Sequence, residues 1–205
     1  MHTNSRLLFE KHATKYFTTG ARVLEIGPDG FPSAYRRAGE AGSARPSEWH
    51  TLDIFEDARL THVAESEYRF PIPDESYDVV LSGQVIEHVR KTWVWIKEVA
   101  RVCKTGGTVI TINPVSWPYH EAPIDCWRVF PEGMKALYDE ASLEVLLSTW
   151  ESLELTGFRR YAPGASPEAY GSRRRLVSRV LGHLGVPVER AYDTVTIGRK
   201  RSPAG

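Results

Sequence analysis

The run Ala21-Arg22-Val23-Leu24-Glu25-Ile26-Gly27-Pro28-Asp29-Gly30 decides the fold. Its first six residues are apolar-rich and of strand length, and they stop on turn chemistry, Gly-Pro-Asp-Gly. A strand that opens straight into a glycine-bearing loop lets backbone approach a ligand closely, because glycine has no Cβ. Upstream, Leu7, Leu8, Phe9, Ala13, Tyr16 and Phe17 recur at near-helical spacing until Gly20, so a helix leads into the strand. Downstream, Ser33 to Ala38 reads as a short helix, Gly39 to Ser47 as a linker and Trp49 to Phe55 as a second strand.

The same alternation continues along the chain. His62-Val63-Ala64 is a short strand, and Tyr77 to Ser82 is a stronger one behind the turn Pro71 to Ser76. Trp93, Ile96, Val99, Ala100 and Val102 form an apolar helical face, which Lys104-Thr105-Gly106-Gly107 breaks. Thr108 to Ile112 is the most β-branched run and is expected to be a central strand. A loop over 113–130 is too long for a simple connection and is therefore a candidate for function. Pro131 to Glu140 reads as a helix with proline at its start, and another strand lies within Ser142 to Leu155. Tyr161 to Ser172 is expected to be a loop, Arg173 to Leu184 an amphipathic helix and Asp193 to Gly198 a last short strand.

Strands alternating with helices imply an α/β fold, doubly wound, with a mostly parallel sheet covered on both faces. Such a sheet binds ligands beyond the carboxyl ends of its strands, where the strand order reverses. The loops after Ile26, Ile54, Ser82 and Ile112 should therefore converge.

The 205 residues, 41% of them hydrophobic, suit one domain over 1–205, with an acceptor-binding loop around 113–130 and a basic helical insertion around 159–190. Lys plus Arg and Asp plus Glu each number 26, so no global field draws in nucleic acid or an anionic membrane. Cys103 and Cys126 are too few for a disulfide framework or a cysteine-rich zinc site, which points to a reducing cytoplasm. No apolar run reaches about 18 residues, the length that spans a bilayer, and Met1 to Glu10 lacks the apolar core of a signal peptide. The expected location is cytoplasmic.

Asp53 ends the second strand, where a carboxylate can accept hydrogen bonds from both ribose hydroxyls of a nucleoside; the alternative is a cap or a solvated strand end. A pyrophosphate cradle is disfavoured, because the first loop lacks Gly-x-Gly-x-x-Gly.

Four ordered segments resemble the class I S-adenosylmethionine-dependent methyltransferases. Val23 to Gly27 is similar to the first motif of that family and Leu52-Asp53-Ile54 to its ribose-binding acidic position. Phe70 to Val80, continuing through Glu87-His88-Val89, resembles its fourth-strand region, and Arg101 to Thr108 the entry to its fifth strand. The resemblance runs over about residues 20 to 114. It implies a Rossmann-like sheet of seven strands with the last antiparallel, S-adenosyl-L-methionine as cofactor, and a cofactor site at Glu25, Gly27, Pro28, Gly30, Asp53, Ile54, Ser66, Glu67 and Gln84. Two positions depart from the family pattern. Asp29 stands where a second glycine is usual, with Gly30 supplying flexibility, and Ser66, flanked by Glu65 and Glu67, stands near the usual adenine-binding acid. Glu25 either meets the amino group of the cofactor or serves as a structural acceptor.

Methyl transfer is an in-line displacement that depends on alignment and exclusion of water, and a hydroxyl acceptor also benefits from a base. His120 is the first choice of base, and His88 and Asp125 are the other candidates; His88 can instead orient the fourth-strand loop. Trp117, Tyr119 and Trp127 either wall an acceptor pocket or pin the loop, while Arg128 either pairs with Asp125 or meets an acidic substrate. No dense set of Asp, Glu and His appears at ligand spacing, so no metal is expected.

The expected activity is methylation of a small molecule, most simply at a hydroxyl oxygen of a secondary metabolite or sugar. Two other readings stay open. One is an RNA or protein methyltransferase using Arg173-Arg174-Arg175 and Arg179, against which the neutral charge speaks. The other is a non-catalytic protein that keeps the cofactor fold. Oligomeric state has no signal in the sequence.

Overall fold

A computed structural model describes residues 3–42, 44–121, 123–153, 180–181, 183–184 and 191–202. Seven strands form one sheet: β1 (Arg22–Ile26), β2 (Glu48–Asp53), β3 (His62–Val63), β4 (Tyr77–Gly83), β5 (Cys103–Ser116), β6 (Leu143–Glu151) and β7 (Tyr192–Lys200). Their order is β3-β2-β1-β4-β5-β7-β6. β7 runs antiparallel to both of its neighbours, and the pairings among β1 to β5 are parallel. The expected doubly wound sheet with an antiparallel last strand is therefore borne out. From β1 the chain first winds outward through β2 to β3, then returns to β4 on the other side, which makes the β1/β4 junction the switch point.

The side chains of each central strand divide between two apolar layers, as the period of two requires. Leu24, Ile26 and Val80 enter one layer with Trp95, Ile96 and Val99 of α3 (Thr92–Val102) and Met134 and Tyr138 of α4 (Pro131–Glu140). Val23, Val79, Leu81 and Ile110 enter the other, with Leu8 of α1 (Thr3–Leu8), Phe9, Phe17, and Tyr35 of α2 (Ala34–Glu40). The amino-terminal helix is more broken than its periodicity suggests, passing from α1 into a π turn at Phe9–Ala13 and a 3-10 turn at Thr14–Tyr16.

Three local expectations change. Trp93 lies at the rim of the buried arc of α3 and is 47% exposed, whereas Trp95, two residues on and so toward the other side of the helix, is 1% exposed and joins Ile96 and Val99 inside. The break after α3 is no loop: Cys103 turns extended at once and β5 starts there, with Gly106 at φ +76. β5 also runs on to Ser116, because Asn113, Pro114 and Ser116 pair with Thr194, Asp193 and Tyr192 of β7, so the functional loop starts at Trp117 rather than Asn113. The insertion expected around 159–190, with Arg173-Arg174-Arg175 and Arg179, falls almost wholly outside the described residues. Among the described residues, no helix is long and apolar enough to cross a membrane.

Candidate active site

Parallel pairing of Ile26 with Leu52, and of Ile26 with Ser82, brings the carboxyl ends of β1, β2 and β4 level. The Gly27 N–H donates to the Leu52 carbonyl at 2.9 Å, which sets Gly27 beside Asp53. A cavity of about 230 Å³ opens at this point, lined by Gly27, Asp53, Ile54, Glu67, Gln84 and His88 among others. Gly27 has φ +70, and a Cβ there would stand 2.3 Å from Val85 Cγ2. Both backbone conformation and the close approach of Val85 thus require glycine. Asp53 Oδ1 accepts from the N–H groups of Ile54 at 2.7 Å and Phe55 at 3.1 Å, which fixes the carboxylate plane at the cavity edge. Gln84 holds a left-handed φ of 60, a conformation that costs a residue with a side chain about 1 to 2 kcal/mol. Its N–H donates to the Ile112 carbonyl and its amide to Asp193 at 3.1 Å, interactions that over-determine the strained position.

Glu25, Pro28, Gly30 and Ser66 do not line this cavity. Glu25 is buried behind the first loop, where its Oε2 accepts from Ser33 Oγ at 2.6 Å and Trp49 Nε1 at 2.8 Å. Its Oε1 is buried without a partner. Burial pushes its carboxyl up to about 7, against the two hydrogen bonds. Ser33 closes the local circuit by capping α2, accepting from the Arg36 N–H, while Asp29 accepts from the Ala34 N–H at 2.9 Å. The residue in the place of a second family glycine is thus a helix-start acceptor. Gly30 lacks a left-handed φ, and a Cβ there would meet nothing closer than 3.8 Å, so the flexibility expected of it belongs to Gly27. Ser66 Oγ accepts from the Tyr68 N–H in a small turn, and Glu67 is the residue of that segment that reaches the cavity wall.

The loop after β5 is docked onto the segment after β4. The Cys126 N–H donates to the Glu87 carbonyl at 2.7 Å, the Trp127 indole to the Val89 carbonyl at 2.8 Å, and His88 Nδ1 is hydrogen-bonded to the Ile124 carbonyl. Trp127 thus pins the loop through its polar edge, while Tyr119 is 61% exposed and donates to Glu121. Arg128 pairs with Asp125 through two guanidinium nitrogens and also donates to the Trp117 and Pro118 carbonyls. Asp125 accepts further from the His120 N–H at 2.9 Å. Burial raises the Asp125 carboxyl, but Arg128 and His120 outweigh it and hold it below the ordinary range. Asp125 and Arg128 are thereby committed to each other and to the loop backbone.

The spacing of Glu87, His88 and His120 along the chain shows no ligand set, yet folding brings one side-chain donor atom from each within 4.8 Å of one another. Chain spacing does not reveal this proximity, because it arises from the loop that carries His120 folding back over the 3-10 turn Ile86–His88. His88 and His120 meet edge to face with ring centroids 5.0 Å apart. Glu87 is fully buried, and burial drives its carboxyl up to about 8.

Sequence reasoning missed the apolar half of the cavity wall, which Phe55, Ala64, Phe70, Val85, Val89 and Trp95 supply. These residues come from four separate segments. Only the rule that strand-end loops converge pointed at them, and that rule selects loops rather than side chains.

Fold and site define a doubly wound α/β domain with a ligand-sized cavity at its switch point. Residues 13–111 match the family described as methyltransferase domain. An uncharacterized methyltransferase of Mycobacteroides abscessus is 34% identical over 100 residues, a match covering 44% of this chain and 39% of that protein. The chain thus spans well under half the length of the curated relatives it matches. Among solved structures, a Haloferax volcanii chain in complex with the Trm112 methyltransferase activator superposes with a TM-score of 0.62 at 18% identity, covering 98% of this chain and 92% of that one. A SAM-dependent methyltransferase from Archaeoglobus fulgidus superposes with a TM-score of 0.60 at 18% identity, covering 96% and 95%. The family match over residues 13–111 and the curated relatives support a class I S-adenosylmethionine-dependent methyltransferase with S-adenosylmethionine as cofactor, and the solved structures share its fold.

The residues present fit that cofactor. Asp53 Oδ1 is engaged by backbone, which leaves Oδ2 for ribose hydroxyls. Ile54, Phe55, Ala64, Phe70 and Val89 offer apolar surface of the kind a purine ring requires, with Glu67 at its edge.

Proposed function

We propose that this chain transfers the methyl group of S-adenosylmethionine to a hydroxyl oxygen of a small molecule. The observation that carries the reading is the side-by-side placement of Gly27 and Asp53 at the mouth of one cavity at the β1/β4 switch point. In this reading Asp53 binds the ribose, Glu67 and the apolar wall bind the adenine, and Gln84 stands toward the methionine end. The S–CH₃ bond breaks as an O–CH₃ bond forms, S-adenosylhomocysteine leaves, and the proton of the hydroxyl passes to a base.

Two imidazoles beside the cavity support an oxygen acceptor. His88 lines it, and His120 packs edge-on against His88. Pro123 brings the loop to the cavity wall, and in this reading the acceptor meets the loop's rings Trp117, Tyr119 and Trp127, which suit a small, partly apolar molecule. Alignment of acceptor and sulfonium in a closed cleft supplies much of the acceleration.

The test is calorimetric titration with S-adenosylmethionine, followed by mass spectrometry of candidate hydroxylated metabolites incubated with protein and cofactor. Saturable binding and a gain of one methyl group are expected. Absence of cofactor binding by folded protein refutes the reading.

A further inference from the structure

We propose that Glu87, His88 and His120 form a binding site for one divalent transition-metal ion on the wall of the cofactor cavity. The three residues present one donor atom each within 4.8 Å of one another. Both Glu87 carboxylate oxygens are buried and lack a hydrogen-bond partner, a costly arrangement for a polar group unless something of opposite charge engages it.

The histidine tautomers sharpen the argument. His88 Nδ1 faces the Ile124 carbonyl, an acceptor only, so Nδ1 carries the proton and Nε2 carries a lone pair. That Nε2 stands 3.8 Å from Glu87 Oε1, beyond hydrogen-bond distance, so the two atoms face one space without bonding directly. His120 Nδ1 faces the Pro118 carbonyl at 3.2 Å and Asp125 Oδ2 at 3.3 Å, again two acceptors, so its lone pair also lies on Nε2. Each imidazole is thus oriented through one nitrogen by a carbonyl or carboxylate and offers the other. This is the arrangement in which outer partners hold metal-ligating histidines. Asp125, locked by Arg128, is the outer partner of His120.

Two imidazoles and one carboxylate suit borderline ions such as Co²⁺, Zn²⁺, Fe²⁺ or Mn²⁺ better than Mg²⁺, which prefers oxygen ligands. With metal–ligand distances of about 2.1 Å, the donor atoms must close by on the order of 1 Å. His120, half-buried in its loop, is the residue placed to move. Three protein ligands leave coordination positions open, and His88 puts the ion at the cavity wall, so an acceptor oxygen has access to it. That last consequence rests on the methyltransferase reading; the ion site does not.

The experiment uses tag-free full chain stripped with chelator and titrated with Co²⁺, followed by visible absorption and calorimetry. One ion per chain is expected, with affinity reduced on the order of tenfold or more in Glu87→Gln and in His120→Ala. His62→Ala, a histidine bonded to Tyr77 away from this cluster, should bind as wild type. Thermal melts establish that each variant is folded, and His120→Ala carries the test if Glu87→Gln does not fold. Failure of the wild type to bind one Co²⁺ overturns the proposal, as does unchanged affinity in His120→Ala. S-adenosylmethionine titration of the same samples keeps the two readings separate. Protein that binds Co²⁺ and no cofactor retains the ion site and loses the methyltransferase reading, and the reverse result does the opposite.

Discussion

Replacing Asp53 by Asn isolates the contact on which nucleoside binding is proposed to depend. Asp53 uses Oδ1 to accept from the Ile54 and Phe55 N–H groups, a local turn that asparagine can keep with its own carbonyl oxygen. The substitution converts Oδ2 into an NH₂, which cannot accept from a ribose hydroxyl, and removes the charge. A hydrogen bond to a charged group contributes about 1.5 to 3 kcal/mol, so the dissociation constant for S-adenosylmethionine should rise about 10- to 150-fold. Stability should change by no more than about 0.5 kcal/mol, as for a surface position whose local bonds are kept. Asp53→Ala, in contrast, frees both N–H groups and should lower stability as well as affinity. Isothermal titration calorimetry and a circular-dichroism melt on the three proteins measure both quantities. A dissociation constant for Asp53→Asn within about twofold of wild type, below 0.5 kcal/mol, refutes the assignment of Asp53 to the ribose.

Glu25 makes stability depend on pH. Its folded-state value of about 7 lies above the ordinary 4.5, so its contribution to stability is fully present below pH 4.5 and is lost as pH rises through 7. The difference corresponds to about 3 kcal/mol; Glu25→Gln should therefore raise stability at pH 8 relative to pH 5, and parallel urea curves of wild type and variant across that range would disprove the point. At Gly27, alanine meets Val85 Cγ2 at 2.3 Å and must hold φ +70, the latter alone costing about 1 to 2 kcal/mol. Gly27→Ala should lower the urea midpoint, and combining it with Val85→Ala should restore the part due to the clash; a double variant no more stable than the single one rules the clash out.

Much of the architecture was legible because strands and turns announce themselves locally. Val23 to Ile26 and Thr108 to Ile112 are rich in apolar and β-branched residues, and the loop at Gly27 follows a strand directly, so parallel pairing came from connection rules, while the seven strands with an antiparallel last one came from the family resemblance. The site was legible where one residue sits at a strand end, as Gly27 and Asp53 do. It was illegible where roles depend on depth. Glu25 belongs to the first motif, yet its side chain turns back to Ser33 and Trp49 instead of into the cavity. Trp93 was read into the apolar face of α3, yet the way that helix lies against the sheet buries Trp95 and leaves Trp93 47% exposed.

The linear chain by itself determined a doubly wound sheet and the two strand ends that meet at its switch point, since backbone pairing and hydrophobic period act over a few residues. Only the tertiary structure decided that Asp125 is spent on Arg128 and that Glu87, His88 and His120 share one space. Glu87 and His88 lie some thirty positions from His120 and meet it only across a folded loop, whereas Asp125 and Arg128 are three apart and it was the choice between pairing and a substrate that the chain left open. Proximity of that kind is set by how the 117–130 segment packs on the turn after β4, a property of packing that no local pattern encodes.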